Sequence, residues 1–104
     1  MKATIKKIRS FIKERDWQQF HSPENLAKSI AIEAAELLEC FQWNDDYDKE
    51  ALLDELADVF YYCLVLADTI DVDIQDIVLN KLEKNKAKYP IDKAKGKSNK
   101  YDKL

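Results

Sequence analysis

A shortage of turn-forming residues is what most limits how this chain can fold. Its 104 residues include one glycine and two prolines, which leaves little material for turns. Long segments repeat apolar residues every three or four positions, the period of an α-helix. We therefore predict an all-α fold, and the length suffices for one domain over residues 1–104.

Four helices account for the apolar pattern. They are predicted over about residues 2–15, 23–43, 48–70 and 74–88. Ser22 is placed to cap the second helix, Asp73 to cap the fourth, and Pro90 follows the end of the fourth. Loops are predicted between the helices, including residues 44–47, and an irregular lysine-rich tail is predicted over about residues 91–104.

Two pairs of acids lie inside these helical patterns. Glu33 and Glu36 fall on one face of the second helix, and Glu55 and Asp58 fall on one face of the third. A helical wheel places both pairs at the edge of the apolar arc, away from the solvent face. No Lys or Arg lies one turn away, so a cation is the simplest partner for such carboxylates. Helical spacing alone supports a metal site and an ordinary charged surface about equally.

The type of residue narrows the choice of metal. Di-iron bundles carry Glu-x-x-His motifs on two helices, and this chain has a single histidine, His21, in a loop. Zinc is disfavoured for lack of His and Cys ligands. Hard carboxylate oxygens suit Mg²⁺, with Mn²⁺ as the alternative.

Charge is strongly segregated along the chain. The net charge of −3 combines +5 over residues 1–15, −14 over residues 16–80 and +6 over residues 81–104. Basic ends flanking an acidic middle fit a metal site bordered by phosphate-binding groups, although charge alone favours a solvated surface with a basic tail. The balance gives no support for nucleic-acid binding. We also expect no membrane span or leader, and a cytoplasmic location.

A longer pattern surrounds the acids. Glu-x-x-Glu is followed by 18 residues and then Glu-x-x-Asp, with ERDWQQFHSPENLA at 14–27, EAAELLECFQW at 33–43 and ELADVFYY at 55–62. The chain resembles the MazG-like nucleoside triphosphate pyrophosphohydrolases, and within them the dCTP pyrophosphatase branch. The resemblance implies a four-helix MazG-like bundle of the all-α NTP pyrophosphatase type, completed by oligomerisation as a homodimer or homotetramer.

The resemblance also implies an activity and its residues. The reaction is hydrolysis of a (d)NTP, dCTP or a related or modified nucleotide, to the monophosphate plus pyrophosphate, in house-cleaning of the nucleotide pool. The acids match catalytic Mg²⁺ ligands, and Glu36 or Glu33 is the expected general base. The predicted ligands are Glu33, Glu36, Glu55 and Asp58. Trp17, Trp43 and Tyr62 match positions around the nucleotide, and Lys81 and Asn85 match polar positions near the phosphates. His21 is a further candidate for substrate contact, with a loop histidine hydrogen-bonded to the backbone as the alternative.

One departure and two alternatives accompany this prediction. The branch can carry a base-site histidine in its first helix where this chain has Ile8, which leaves the base open. A phosphoribosyl-ATP pyrophosphatase-like enzyme is one alternative, although the tryptophans argue against it. A non-catalytic helical interaction module is the other.

Overall fold

The computed structural model describes residues 1–43 and 45–104, and every regular element within them is helical. The helices are α1 (Lys2–Glu14), α2 (Pro23–Glu39), α3 (Lys49–Thr69), α4 (Ile74–Lys88) and α5 (Ile91–Ala94), with 3₁₀ turns at Gln18–Phe20 and Tyr101–Lys103. The all-α prediction is confirmed. The predicted loop at 44–47 includes Asn44, which lies outside the described residues.

Helix starts follow local side-chain capping. The Asn25 N–H donates to Ser22 Oγ at 3.1 Å at the start of α2, where Pro23 occupies the first turn. The Gln75 and Asp76 N–H groups donate to Asp73 Oδ1 at 2.8 and 3.3 Å at the start of α4. Both predicted N-caps are confirmed, since each oxygen accepts a backbone N–H that the helix leaves free.

Helix α2 ends four residues before its predicted limit. The N–H groups of Cys40, Phe41 and Gln42 each donate three residues back along the chain, at 3.0–3.2 Å. Such short-range bonds tighten the final turn and end the α-helical ladder. In the tail, α5 and the turn Tyr101–Lys103 occupy part of the segment predicted to be irregular.

Helices α2 and α3 pack against each other as an antiparallel pair. Leu26 near the start of α2 packs with Val65 near the end of α3, and Ile12 of α1 completes this buried cluster. Leu26 is 1% exposed. Glu33 lies further along α2 and meets Glu55 and Asp58 further back along α3, so the apolar cluster fixes the register that aligns the acids.

Two compact units divide the described chain, Met1–Val72 and Asp73–Leu104. In the second unit, the Tyr89 and Tyr101 rings meet edge to face at 6.2 Å, and Lys88 Nζ lies 4.8 Å from the Tyr101 ring centre. These contacts fold the tail onto the end of α4. None of the described helices is long and apolar enough to cross a membrane.

Candidate metal and nucleotide site

Three carboxylates from two helices converge in the first unit. One oxygen from each of Glu33, Glu55 and Asp58 lies within 4.8 Å of the other two. Glu33 and Glu55 are half-buried, and Asp58 is exposed. The helical spacing predicted this convergence only in part, because spacing sets the face of each helix and packing sets which faces meet.

Glu36 joins the group, which we call the acid cluster: Glu33, Glu36, Glu55 and Asp58. A hydrogen bond with Glu36, then burial and the neighbouring negative charges, raises the pKa of Glu33 to about 7. Burial, then a hydrogen bond with Glu36 and the nearby charges, raises the pKa of Glu55. Without a cation, acids packed this closely must share protons.

The acid cluster lacks a protein partner for its charge. Glu33 Oε2 and Glu55 Oε2 are buried without a hydrogen-bond partner among the described residues. Across residues 1–43 and 45–104, the ion pairs of Lys and Arg leave the four acids unpaired. Orphaned carboxylate oxygens at this spacing fit a hard divalent cation with oxygen ligands.

An aromatic cavity opens beside the acid cluster. Its volume is about 670 Å³. The lining combines two acids, several rings and the exposed side of α1: Thr4, Lys7, Ile8, Phe11, Trp17, Glu33, Ala57, Asp58, Tyr61 and Tyr62. Burial, followed by the charges of Glu33, Asp58 and Glu36, raises the pKa of the Tyr62 hydroxyl. Carboxylates at one end and ring faces along the wall suit a ligand with a charged group and a planar group.

A backbone turn places Trp17 in this cavity. Helix α1 ends in a Schellman motif, in which the Asp16 N–H donates to Lys13 O and the Trp17 N–H donates to Ile12 O, both at 3.1 Å. Asp16 adopts a φ of 53°, a left-handed conformation that Asp tolerates better than most residues. The turn brings the Trp17 ring to 5.6 Å from Phe11, edge to face.

A second cavity of about 330 Å³ continues past the same two rings. Trp17 and Tyr62 line both cavities, and His21, Asn25 and Ser29 line the second. His21 is half-buried, and its Nδ1 atom is buried without a partner among the described residues. The Asn25 side-chain amide donates to Phe20 O at 3.0 Å and holds this loop against α2. His21 is thus available to a polar group entering from the cavity side.

Three further residues were predicted to contact the substrate. Trp43 is 86% exposed, and it lines none of the cavities described above. Lys81 and Asn85 lie on α4 in the second unit, with Lys81 exposed and Asn85 half-buried. Their contacts with substrate stay predictions.

The sequence did not single out two rings of the cavity wall. Phe11 fits the apolar repeat of α1 and Tyr61 directly precedes Tyr62 in the sequence, and their rings meet edge to face at 6.3 Å on the cavity wall. Arg15 lies 3.9 Å from the Phe11 ring centre, a cation–π contact that holds the ring. The spacing of aromatic residues around Trp17 could have indicated this wall, but the helical periodicity of apolar residues does not.

The fold has a solved counterpart. It is similar to the solved structure of a pyrophosphatase from Archaeoglobus fulgidus, with a TM-score of 0.79 and 40% identity over 86% of this chain and 92% of that chain. Residues 28–104 match the profile of the MazG-like family. The chain belongs to the MazG-like family.

Curated relatives agree with the resemblance read from the sequence. The chain is 38% identical to dCTP pyrophosphatase 1 of Mus musculus and 39% identical to that of Homo sapiens, over 90% of this chain. It spans about three fifths of each relative, 61% of the length in both cases. The predicted likeness to the dCTP pyrophosphatase branch is confirmed.

Proposed function

We propose that this protein is a Mg²⁺-dependent nucleoside triphosphate pyrophosphohydrolase that acts on dCTP or a related or modified nucleotide. The products are the nucleoside monophosphate and pyrophosphate. One observation carries the proposal: the unpaired acid cluster opens directly into an aromatic cavity of about 670 Å³. Membership of the MazG-like family and the likeness to dCTP pyrophosphatase 1 support the same reaction.

The acid cluster would hold the metal. Glu33, Glu36, Glu55 and Asp58 offer only oxygen atoms, which favours Mg²⁺, with Mn²⁺ as the alternative. The ion would supply positive charge against the phosphate oxygens and acidify water. The Oε2 atoms of Glu33 and Glu55 are buried without a hydrogen-bond partner among the described residues, and such an ion would satisfy them.

The acids would also move a proton. Hydrolysis forms a bond from a water oxygen to the α-phosphorus and breaks the bond from that phosphorus to the bridging oxygen, so pyrophosphate leaves. A carboxylate must take the proton that the water loses. We assign this role to Glu36 or Glu33, which share a hydrogen bond at the centre of the acid cluster.

The aromatic wall would bind the nucleoside. Trp17 and Tyr62 line both cavities, and Glu33 and Asp58 line the larger one, so a base beside either ring would have its phosphates toward the acids. His21 would contact the nucleoside from the smaller cavity. Trp43, Lys81 and Asn85 complete the proposed substrate contacts, with the last two near the phosphates.

We also propose a homodimer or homotetramer in the cytoplasm. The described residues bury five apolar side chains, whereas twenty large apolar side chains stay substantially exposed. Leu53, Leu56 and Phe60 form one exposed stripe on α3, about half accessible each. A second copy is the proposed cover for this stripe, because exposed apolar area of this extent marks protein interfaces. No role in binding nucleic acid or membranes is proposed.

A nucleotide panel tests the proposed reaction. Purified protein with Mg²⁺ should release pyrophosphate, not orthophosphate, from dCTP or another member of a panel of normal and modified nucleotides. Phosphoribosyl-ATP belongs in the same panel, because preferred turnover of it would replace the proposed substrate. No turnover of any member, combined with no melting shift from Mg²⁺ plus a nonhydrolysable nucleotide, would leave the non-catalytic interaction module.

A further inference from the structure

Helix α1 forms one wall of the proposed nucleotide cavity. Lys7, Ile8 and Phe11 line that cavity from α1, opposite Glu33 and Asp58. Within α1, Ile12 is the buried side chain. The width of the nucleotide cavity therefore depends on how firmly α1 is held against α3.

A different cavity lies on the other flank of α1. Its volume is about 400 Å³, and its lining includes Ile5 and Arg9 of α1 and Leu64 and Asp68 of α3. Ile8 packs against the buried cluster of Ile12, Leu26 and Val65, whereas Ile5 lines the void and lacks the close contacts of a packed interior. Apolar packing of Ile8 and Ile12 thus holds α1 against the core, and a polar contact at the rim of this cavity adds to it.

A bidentate ion pair supplies that contact at the rim of this cavity. Arg9 Nε donates to Asp68 Oδ2 at 2.8 Å, and Arg9 Nη2 donates to Asp68 Oδ1 at 2.5 Å. Both side chains line the same cavity. The two parallel bonds fix angle as well as distance, which a single lysine contact does not. The hydrogen bonds with Arg9 also lower the pKa of the Asp68 carboxyl.

We propose that Arg9 and Asp68 are a positioning pair, which holds α1 on α3 and so sets the width of the nucleotide cavity. Neither residue is among those that line the nucleotide cavity, so the effect passes through the α1 residues Lys7, Ile8 and Phe11. The inference rests on the proposed function for its effect on substrate binding. The position of α1 itself is independent of that function.

A double-mutant cycle tests the pair. The variants are Arg9→Gln, Asp68→Asn, the double variant and the exchanged pair Arg9→Asp with Asp68→Arg. The control is Lys28→Gln, which breaks the exposed Lys28–Glu24 ion pair of 3.2 Å within α2. Steady-state kinetics with the best nucleotide and hydrogen exchange of the α1 amides without nucleotide are the two readouts.

Each single variant should raise KM about two- to fivefold with kcat nearly unchanged, as expected for loss of one partly exposed pair. The α1 amides should exchange faster by a similar factor. The double variant should be no worse than either single, and the exchanged pair should recover most of the loss, whereas Lys28→Gln should change neither readout.

Three results would overturn the positioning role. These are single variants that match the Lys28→Gln control, effects that add in the double variant, or a fall in kcat with KM unchanged. If no nucleotide is turned over, the proposed function has failed, and the exchange cycle still decides whether the pair positions α1. If the single and double variants lose the same protection of the α1 amides against exchange, the positioning role is supported. If the losses add, or if no protection is lost, the positioning role is refuted.

Discussion

Two acids of the cluster, Glu33 and Glu55, have a pKa above that of an ordinary glutamate. Glu33 has a pKa raised to about 7, with the hydrogen bond to Glu36 as the main cause. Glu55 is raised chiefly by burial. A metal-free site therefore keeps a proton near neutral pH, and a cation competes with that proton.

This competition predicts a pH dependence of stability. Folded Glu33 keeps its proton up to about pH 7, whereas in the unfolded chain it has the ordinary glutamate pKa of 4.5. Between these values the folded state binds more protons, so the free energy of unfolding contributed by Glu33 falls as pH rises. Thermal melts in EDTA should show this loss between pH 5 and pH 8, and Mg²⁺ at pH 8 should reverse it.

A matched variant isolates the contribution of Glu33. Glu33→Gln keeps the shape of the side chain and removes its titration, so the difference from the parent protein should grow as pH rises. It should also weaken the stabilisation by Mg²⁺. Equal slopes for both proteins in EDTA would contradict the raised pKa of Glu33.

Substitution of the acids should remove activity and preserve the fold. Glu36→Gln and Asp58→Asn should each lower kcat/KM by about a hundredfold or more, because loss of a metal ligand removes charge from the reacting centre. Glu39→Gln is the control, since Glu39 is exposed on the same helix. Circular dichroism should be unchanged in all three, and retained activity in both acid variants would refute the assigned site.

At the scale of elements, the sequence predicted what local chemistry decides. Ser22 and Asp73 each carry an oxygen that caps the helix directly after it, so the helix starts were predictable. The end of α2 was not predictable, because the sequence of residues 40–42 is compatible with an α-helix. Their N–H groups instead donate to carbonyls three residues back along the chain. The acid faces were predicted, whereas the approach of Glu36 to Glu55 depends on how two helices pack.

The turn that ends α1 should matter for stability and for substrate binding. Asp16→Val places a β-branched residue at a φ of 53°, so we expect a loss of about 1–3 kcal/mol in the free energy of unfolding. Displacement of Trp17 should raise KM in the same variant. Asp16→Gly is the control because glycine adopts this conformation readily. Chemical denaturation and kinetics measure both effects, and equal behaviour of the two variants would contradict the role of the turn.

At the scale of the whole molecule, assembly is the main prediction. Light scattering should give two or four times the monomer mass. Leu56→Glu places a charge in the exposed α3 stripe, where Leu56 is 50% exposed, and should shift the mass toward the monomer. Lys28→Glu, an exposed change on α2, should leave it unchanged. A parent protein that is monomeric at micromolar concentration would contradict the proposed assembly.

The antiparallel pairing of α2 with α3 also bears on how such a chain can diversify. The register of the acids is set by contacts such as Leu26 with Val65, and the described residues of the connection, 40–43 and 45–48, belong to neither helix. Insertions or deletions there would leave the carboxylates aligned. Related proteins can therefore differ in the length of this connection, and in what the connection binds, while the carboxylates of α2 and α3 stay aligned.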